Sequence, residues 1–599
     1  MTTPTTVTPH DPAILYAAVE GRMASLGAGE AVFFDTATGQ SQVMTAEVAH
    51  AFGLCQTFLP MHEHVLRVMD AIPALKGQGA AVQKVLEMLV ARGLMLTDAQ
   101  FLERFSAPQT KTEQVPVSGL FLRAPTTPDR LQTALDALAG HLRRFPFAHP
   151  IHVIDLTADA GLKASHAAAI EAFSSATGNA VRHISAAVAA RVIDSLVTAL
   201  PDAGDALRWL LSSDGPGAAR NLAALLAAGT RYLFLDADTA LPLRLHPEYG
   251  PGLAADARAL AVRSFASSQA ALSAGSEPQD DPLAAHLAVC GASVAQALAH
   301  EPQAAIGPDS VRGVAAARMP QLEPHRRVAF TAVGRVGAFA LTDPTLPFKL
   351  SSEARAGMTA SREAYLASYR EPSLWSGTNR YAVGLGERLT PLAFDAGQLV
   401  PCTLPAADNA AALQLELLRL AHAEATDFAF PHALAQIDPG LAAHDGLGRP
   451  DMAQCLSGLA AVVAQDLYAT GPAVRLDVMA AKLADLAGGS QQTLETYLTE
   501  YLSWYRSDNI EQMQRAMTLS PPPVYWLADL RTAVETQSTA LIKGEIPRLA
   551  GWPADLDTAA CVARFRTELE GLAAGLRAWP AAFELARRHG ADWRHAIAA

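Results

Sequence analysis

From Gly217 to Arg244 the chain reads GAARNLAALLAAGTRYLFLDADTALPLR, a helical pattern followed by a short apolar strand. Leucine and alanine recur at helical spacing as far as Gly229, and the YLFL run beyond it predicts a buried strand. Asp236 and Asp238 come directly after this strand, two residues apart, so in strict strand geometry both carboxylates point the same way. Two hard oxygen ligands in this arrangement suit a divalent ion that also binds a diphosphate.

Two earlier segments show the same alternation of strand and helix. Phe121–Leu131 reads FLRAPTTPDRL, an apolar strand followed by a polar turn that leads into a helix. Ile151–Thr157 reads IHVIDLT, a second short strand that ends in Asp155. Strands and helices that alternate as far as Asp238 predict right-handed βαβ units and a mainly parallel sheet. Ligands bind such sheets beyond the carboxyl ends of the strands, which is where these acids lie.

Taken in order, the three motifs resemble the metal-binding core of the family 2 glycosyltransferases, which have the GT-A fold. The resemblance implies an α/β GT-A domain with a mainly parallel sheet at residues 117–445. It also implies a nucleotide-sugar donor, such as a UDP-sugar, and a bound Mn²⁺ or Mg²⁺. The residues implied in donor binding are Pro125, Thr126, Asp155, Arg220, Asn221 and Asp236, and those implied in metal binding are Asp236, Asp238 and His432.

Each of these residues also has an ordinary structural interpretation. An Asp-x-Asp sequence after a strand is often a solvated turn. Asp155 can simply begin a loop, and Arg220 and Asn221 can cap or solvate a helix. A single histidine near an apolar strand, such as His432, is commonly packed or solvated and not bound to a metal.

Asp408 is the candidate catalytic base. It follows LVPCTLPAA at residues 399–407, where some related transferases carry a proline-rich strand and an acidic turn that supplies the base. The usual glutamate of that turn is absent here. A sugar, serine or threonine hydroxyl is a poor nucleophile, and a positioned carboxylate can take its proton during direct displacement with inversion. The alternative is that Asp408 caps the helix predicted over Ala410–Leu420.

Residues 31–105 predict a small winged-helix-like α+β domain, after an amino-terminal segment at 1–30. Val32–Met44 predicts a hairpin around Gly39, and helices follow from Thr45 and over Ala80–Arg92. The FDTATG turn and the closing LVARGL resemble the peptide-chaperone domain of pyrroloquinoline-quinone biosynthesis, a recognition element for ribosomally made, modified peptides. The resemblance implies that a leader peptide adds a strand to the hairpin sheet. The alternative is a capping domain without a ligand.

The helical pattern of residues 446–599 predicts an all-α carboxyl-terminal domain. A linker is predicted at residues 106–116, which are rich in Pro, Gln, Thr and Lys. In the carboxyl-terminal region apolar residues recur three and four apart, with a break at the prolines of 521–523. Its tryptophans are expected in a core, and an aromatic groove for an acceptor is the alternative. They are Trp504, Trp526, Trp552, Trp579 and Trp593.

The composition limits the partners and the compartment. A formal net charge of −13 without a basic cluster argues against a nucleic-acid partner. The five cysteines are scattered without a Cys-x-x-Cys pair, which favours reduced thiols in a cytoplasm. No secretory signal and no apolar run of membrane-spanning length is evident, so we expect a cytoplasmic protein without a membrane span.

The two resemblances together imply a metal-dependent glycosyltransferase that acts on a hydroxyl of a peptide or protein. A nucleotidyltransferase uses a similar sheet and acids, but residues 124–130 lack the glycine-rich basic loop that such an enzyme normally carries after its first strand. A non-catalytic peptide-binding scaffold on a degenerate GT-A fold is the other alternative, because the region of Asp408 departs from the family pattern.

Overall fold

The computed structural model describes residues 11, 13–35, 38–106, 112–125, 128–236, 238–255, 260–338, 346–349, 352–370, 373–386, 389–407, 409–437, 449–465, 467, 471–519 and 521–598. Over these ranges the protein is mixed α/β, with a large central sheet and a helical carboxyl-terminal region. Every helix within them is too short or too polar to cross a membrane.

The amino-terminal unit, called the head below, consists of two small antiparallel sheets with flanking helices. The elements are β1 (Leu15–Ala18), β2 (Gly21–Gly27), β3 (Glu30–Asp35), β4 (Ser41–Thr45), α1 (Ala46–Gly53), β5 (Leu59–Pro60), α2 (Met61–Ala71), α3 (Gly79–Ala91), β6 (Met95–Thr97) and α4 (Asp98–Glu103). One sheet has the strand order β2-β3-β4 and the other the order β5-β1-β6.

The predicted hairpin is present as β3 and β4, and Gly39 in its turn has a φ of +69°. Glycine adopts this left-handed conformation without strain. The unit begins earlier than residue 31, because β1 pairs with both β5 and β6, and β2 pairs with β3. Phe33 of β3 packs edge-on against Phe52 of α1, with ring centroids 4.9 Å apart, so the hairpin sheet and the helices share a core.

The first half of the central part alternates strands and helices, as predicted. Its elements are β7 (Val117–Arg123), α5 (Pro128–Arg144), β8 (Ile151–Asp155), α6 (Ala160–Thr177), β9 (Val181–Ser185), α7 (Ala186–Ala199), α8 (Gly204–Leu211), α9 (Pro216–Leu226) and β10 (Arg231–Leu235). The strands β10, β7, β8 and β9 are neighbours in that order, and every pair among them is parallel.

The second half adds strands of both directions to the same sheet. The elements are β11 (Thr239–Leu245), β12 (Leu253–Ala254), β13 (Leu260–Phe265), α10 (Ser268–Ala274), α11 (Pro282–Val289), α12 (Val294–His300), α13 (Pro308–Val311), β14 (Arg327–Ala338), α14 (Leu346–Lys349), α15 (Ser352–Met358), α16 (Arg362–Arg370), β15 (Ser373–Thr378), β16 (Tyr381–Val383), β17 (Thr390–Asp395), α17 (Ala410–Ala421) and β18 (Ala425–Gln436).

The full order of the central sheet is β12-β16-β18-β14-β17-β10-β7-β8-β9, with β11, β13 and β15 attached beside it. Strand β17 is antiparallel to both β10 and β14, whereas β14 and β18 are parallel to each other. The parallel half therefore matches the alternating strand and helix pattern of the sequence, and antiparallel pairs enter only where that alternation ends.

Helices cover the two faces of the parallel half. Phe121 and Phe234 face the core formed with α7, α8 and α9, whereas Leu122 and Val153 face the core formed with α5 and α6. Neighbouring residues of a strand point to opposite faces, which explains this division. The face on which a side chain lies decides which polar groups it meets at the carboxyl edge of the sheet.

The carboxyl-terminal helices do not form a separate domain. They are α18 (Met452–Gln465), α19 (Pro472–Ala487), α20 (Gln491–Leu519), α21 (Val524–Lys543) and α22 (Thr558–Ala598). Residues of α18, α19 and α22 share one core with α8, α9 and the sheet. Trp579 of α22 is fully buried, and its Nε1 donates a hydrogen bond of 2.7 Å to the carbonyl oxygen of Val400. Trp504 departs from the predicted burial, because 61% of it is exposed.

The predicted linker is partly attached to the central part. Residues 107–111 lie outside the described ranges. Gln114 donates from Nε2 to the carbonyl oxygens of Ala288 at 2.7 Å and Cys290 at 3.0 Å. These two contacts fix the second half of the predicted linker to the end of α11.

Candidate site at the carboxyl edge of the parallel strands

The site lies where the strand order of the sheet reverses. From β7 the chain continues to β8 and β9 on one side, whereas β10 pairs with β7 on the other side. In open α/β sheets ligands bind beyond the carboxyl ends of the strands at such a reversal. Arg123 is the last residue of β7 and Asp236 directly follows β10, so both lie at this point.

The carboxylate of Asp236 is held between two guanidinium groups. Its Oδ1 accepts a hydrogen bond of 2.6 Å from Arg123 Nε, and its Oδ2 accepts one of 2.9 Å from Arg220 Nη2. Arg220 is only 3% exposed, and its Cζ lies 4.5 Å from the centre of the Phe234 ring. Its Nη1 is buried and has no hydrogen-bond partner among the described residues. A buried guanidinium with an unused N–H favours an anionic ligand.

Helix α9, which carries this buried arginine, packs closely against residues 399–407, called the 400 loop below. A Cβ at Gly217 would lie 1.8 Å from the carbonyl oxygen of Leu404, so glycine is required at this contact. The amide of Ala218 also donates a hydrogen bond of 3.0 Å to the carbonyl oxygen of Pro405. The amino-terminal turn of α9 is therefore fixed by backbone contacts with the 400 loop.

Asn221 strengthens the same contact and does not point toward the arginine pair. Its Nδ2 donates to the carbonyl oxygens of Leu210 at 3.1 Å and Thr403 at 3.0 Å, and its Oδ1 accepts from the Thr403 amide at 2.8 Å. The side chain is fully buried. The structure thus gives Asn221, which was predicted to bind the donor, the role of a clamp between α8, α9 and the 400 loop.

Asp238 lies in the turn between β10 and β11 and has its own set of partners. Its Oδ2 accepts hydrogen bonds from Arg335 Nη1 at 3.2 Å and from Gln436 Nε2 at 3.1 Å. Its Oδ1 is buried and has no partner among the described residues. Arg335 Nε also donates to Thr390 Oγ1 at 2.7 Å, which fixes the guanidinium. Because β10 ends at Leu235, the two carboxylates do not share the strand geometry predicted for them and contact different arginines.

Asp155 ends β8 but does not join this cluster. It is 2% exposed, and its Oδ2 lies 3.1 Å from His166 Nδ1 and 3.3 Å from His183 Nε2. Its Oδ1 accepts a hydrogen bond of 3.2 Å from the Thr157 amide. Burial raises the pKa of Asp155, but the hydrogen bond from His183, the nearby His166 and the Thr157 amide outweigh it and hold the pKa below its ordinary value. The structure places Asp155, which was implied in donor binding, in a buried carboxylate and histidine network on the side of α6.

His432 is also remote from the two aspartates. It lies on β18 four residues before Gln436, which is about 13 Å along an extended strand. Its ring stacks on Phe430 and lies beside His286, with ring centroids 5.7 Å and 6.1 Å away. Burial lowers its pKa to about 4, so the ring is neutral at pH 7. The structure assigns His432 to the core of the sheet, which was the ordinary alternative for this residue.

The predicted metal ligands therefore do not form one set. Both oxygens of Asp236 contact guanidiniums, Oδ2 of Asp238 contacts Arg335 and Gln436, and the predicted histidine lies elsewhere. Asp238 Oδ1 is the one oxygen of the acid pair that is without a partner in the described part of the chain. Across that part, no three His, Cys, Asp or Glu side chains are grouped so that they could hold a metal ion.

The remaining predicted residues are placed only in part. Asp408 and Thr126 lie outside the described residues, whereas Pro125 is buried just after β7. Helix α17 begins at Ala410, as predicted, and its N-cap position is Asn409 and not Asp408. The 400 loop, which precedes Asp408 in the sequence, packs on the start of α9, the helix that carries Arg220.

Sequence reasoning missed Arg123, Arg335 and Gln436. Arg123 is the charged residue that ends the FLR run, and a charge at the carboxyl end of a buried strand is the signal that could have identified it. Arg335 lies 97 residues after Asp238 in the sequence, and Gln436 lies 198 residues after it. Local patterns hold no information on contacts across such distances.

Two cavities lie away from the cluster. One of about 590 Å³ lies at the opposite edge of the sheet, and Arg327, His422 and Arg475 are among its lining residues. Another of about 310 Å³ lies between the head and the central part, and its lining includes Phe58 of the head and Met319 of the central part.

Comparisons with protein-family models, curated proteins and solved structures gave no match to this chain.

Proposed function

We propose that this protein is a glycosyltransferase that moves a sugar from a nucleotide-diphosphate donor, such as a UDP-sugar, to a hydroxyl group of a peptide or protein. The observation that carries the proposal is the group of Arg123, Arg220 and Asp236 at the reversal of the strand order, next to Arg335 and Asp238. Such reversals bind nucleotides in open α/β sheets, and guanidinium groups match phosphate oxygens in charge and geometry.

The local charge supports an anionic ligand in an otherwise acidic protein. The chain carries a formal net charge of −13. The cluster contains three arginines and two aspartates, which leaves one excess positive charge. An anion of the size of a diphosphate is therefore attracted to this edge by local side chains and not by a general positive field.

The chemistry of transfer is a direct displacement with inversion. The bond between the anomeric carbon and the phosphate oxygen breaks, its electron pair leaves with the nucleoside diphosphate, and the acceptor oxygen forms the new bond. The acceptor proton passes to a base, for which Asp408 remains the candidate because it follows the 400 loop in the sequence and this loop packs on the helix that carries Arg220. Of the acid pair, only Asp238 Oδ1 is left for the predicted Mn²⁺ or Mg²⁺ among the described residues, so the arginines of the cluster are the groups offered to the charge on the leaving group.

The head supports a peptide acceptor. Strand β2 is an edge strand of the β2-β3-β4 sheet, and six of its seven residues are exposed. Apolar side chains on this sheet are exposed as well, with Leu26 at 55%, Phe34 at 46% and Val43 at 55%. A peptide that pairs with the edge strand would cover such side chains. The same features support the second candidate, a peptide-binding scaffold without transfer activity.

Incubation of the full chain with a panel of sugar nucleotides and a library of peptides tests the proposal. A glycosyltransferase releases a nucleoside diphosphate and adds the mass of a sugar to the peptide, whereas transfer of the nucleotidyl group from the same donors releases a sugar 1-phosphate and adds the mass of the nucleotide. The variant Asp236→Asn should abolish the transfer. The matched control is Asp194→Asn, which removes an exposed carboxylate 3.8 Å from Arg208 on the helical surface and should leave transfer unchanged. Peptide binding without any release of nucleotide would instead identify a scaffold.

A further inference from the structure

Arg335 occupies the position beside Asp238 at which the sequence predicted a divalent cation. We infer that Arg335, together with Arg123 and Arg220, supplies the positive charge for the donor's diphosphate, so that the site binds a diphosphate without a metal ion. This inference rests on the proposed function for its biological ligand, but the diphosphate site itself can be tested separately.

The oxygens of the acid pair show why a cation fits poorly. Asp236 Oδ1 and Oδ2 contact Arg123 and Arg220, and Asp238 Oδ2 contacts Arg335 and Gln436, so three of the four carboxylate oxygens are engaged. Mg²⁺ and Mn²⁺ bind in a nearly octahedral arrangement, through one or two carboxylates and otherwise through water or phosphate oxygens. Within the described residues, the acid pair offers such an ion a single oxygen without a partner, Asp238 Oδ1. A cation that used more than Asp238 Oδ1 would have to separate a carboxylate from a guanidinium that already neutralises it.

The donors of the cluster show why an anion fits well. Arg220 is 3% exposed, and its Nη1 is a buried N–H donor without a partner in the described ranges. The side chain of Arg335 is 32% exposed, so a ligand can reach it, while the hydrogen bond to Thr390 keeps its guanidinium in place. Guanidinium groups bind phosphate oxygens through paired N–H donors and keep their charge at any physiological pH.

Arg335 then has a defined part in the transfer step. When the bond between the anomeric carbon and the phosphate oxygen breaks, the electron pair remains on that oxygen and adds negative charge next to Arg335. The guanidinium stabilises this charge electrostatically and transfers no proton. The acceptor oxygen forms the new bond to the anomeric carbon, and its proton passes to the base. The negative charge therefore ends on the nucleoside diphosphate beside Arg335, and the acceptor's proton ends on the base.

Titration calorimetry of the full chain with inorganic pyrophosphate, in EDTA and then with Mn²⁺, tests the inference. Wild-type protein should bind pyrophosphate in EDTA. Arg335→Gln should weaken that binding about tenfold to a hundredfold, because a charge-assisted hydrogen bond is lost. Arg335→Lys keeps the charge and should retain more affinity than Arg335→Gln. The matched control is Arg327→Gln, on the same strand β14, where Arg327 pairs with Asp395 at the opposite edge, and it should bind like wild type.

The outcomes separate the inference from the proposed function. Pyrophosphate binding by wild type only after Mn²⁺ is added, no binding under either condition, or equal binding by Arg335→Gln in EDTA overturns the inference. Sugar transfer that requires Mn²⁺ would leave the proposed function intact while removing the role of Arg335. Metal-independent pyrophosphate binding without transfer from any sugar nucleotide would support the site and remove the glycosyltransferase. Thermal melts of each variant show whether it is folded.

Discussion

Replacing Asn221 by leucine tests whether this residue is a structural clamp or a donor ligand. The substitution removes three buried hydrogen bonds, to Leu210, to the Thr403 carbonyl and from the Thr403 amide. At about 1 kcal/mol for each bond, the free energy for opening α9 away from the 400 loop should fall by about 3 kcal/mol. Since about 1.4 kcal/mol corresponds to a factor of ten, amide protons of this region should exchange about a hundredfold faster.

Hydrogen exchange followed by mass spectrometry measures this effect locally, which is appropriate for a chain too large for two-state unfolding. Peptides that cover α9 and the 400 loop should lose protection, whereas those of the head should not change. Gln414→Leu is the matched control, because Gln414 is equally buried and donates one hydrogen bond of 3.0 Å to the Pro401 carbonyl in the same loop. It should cost about 1 kcal/mol. Loss of donor binding by Asn221→Leu without faster exchange would refute the clamp and restore the sequence-based assignment.

Three further predictions follow from the positions of the other residues. Asp155→Asn should lower the thermal midpoint at neutral pH, and the difference from wild type should disappear as the pH falls below the ordinary carboxyl value of 3.8, because a depressed pKa contributes stability only while the carboxylate is charged. A pH series of melting curves measures this, and a difference that grows in acid contradicts it. His432→Leu should leave donor binding and transfer unchanged in the presence of Mn²⁺, and loss of either would restore a metal role for His432. A chain ending at residue 437 should lack fixed tertiary structure by near-ultraviolet circular dichroism, because α19 and α22 share the core of the sheet, and a well-ordered spectrum would indicate a separate helical domain.

The parallel half of the sheet could be predicted because its information is local. The apolar run that becomes β10, the helix before it and the acids after it lie within 28 residues, and periodicity alone assigns them. The hairpin of β3 and β4 is similar, since a turn containing Gly39 fixes it. The start of the head was missed because β1 is stabilised by β6, which lies about 80 residues later in the chain.

The site was predicted less completely, because its partners come from distant parts of the sequence. Asp236 and Asp238 were identified correctly as neighbours of the carboxyl edge, and Arg220 was among the predicted residues, but Arg123, Arg335 and Gln436 were not. Arg335 reaches Asp238 across 97 residues of the sequence. The turn after Leu235 also separates the two carboxylates, which strand alternation alone would have kept together.

A crystal structure of the full chain with a bound nucleoside diphosphate tests most directly whether the carboxyl edge of the parallel strands is the donor site. The diphosphate oxygens should lie within about 3 Å of guanidinium nitrogens of Arg123, Arg220 or Arg335. Binding of the diphosphate in the cavity beside Arg327 and Arg475, at the opposite edge of the sheet, would contradict this assignment.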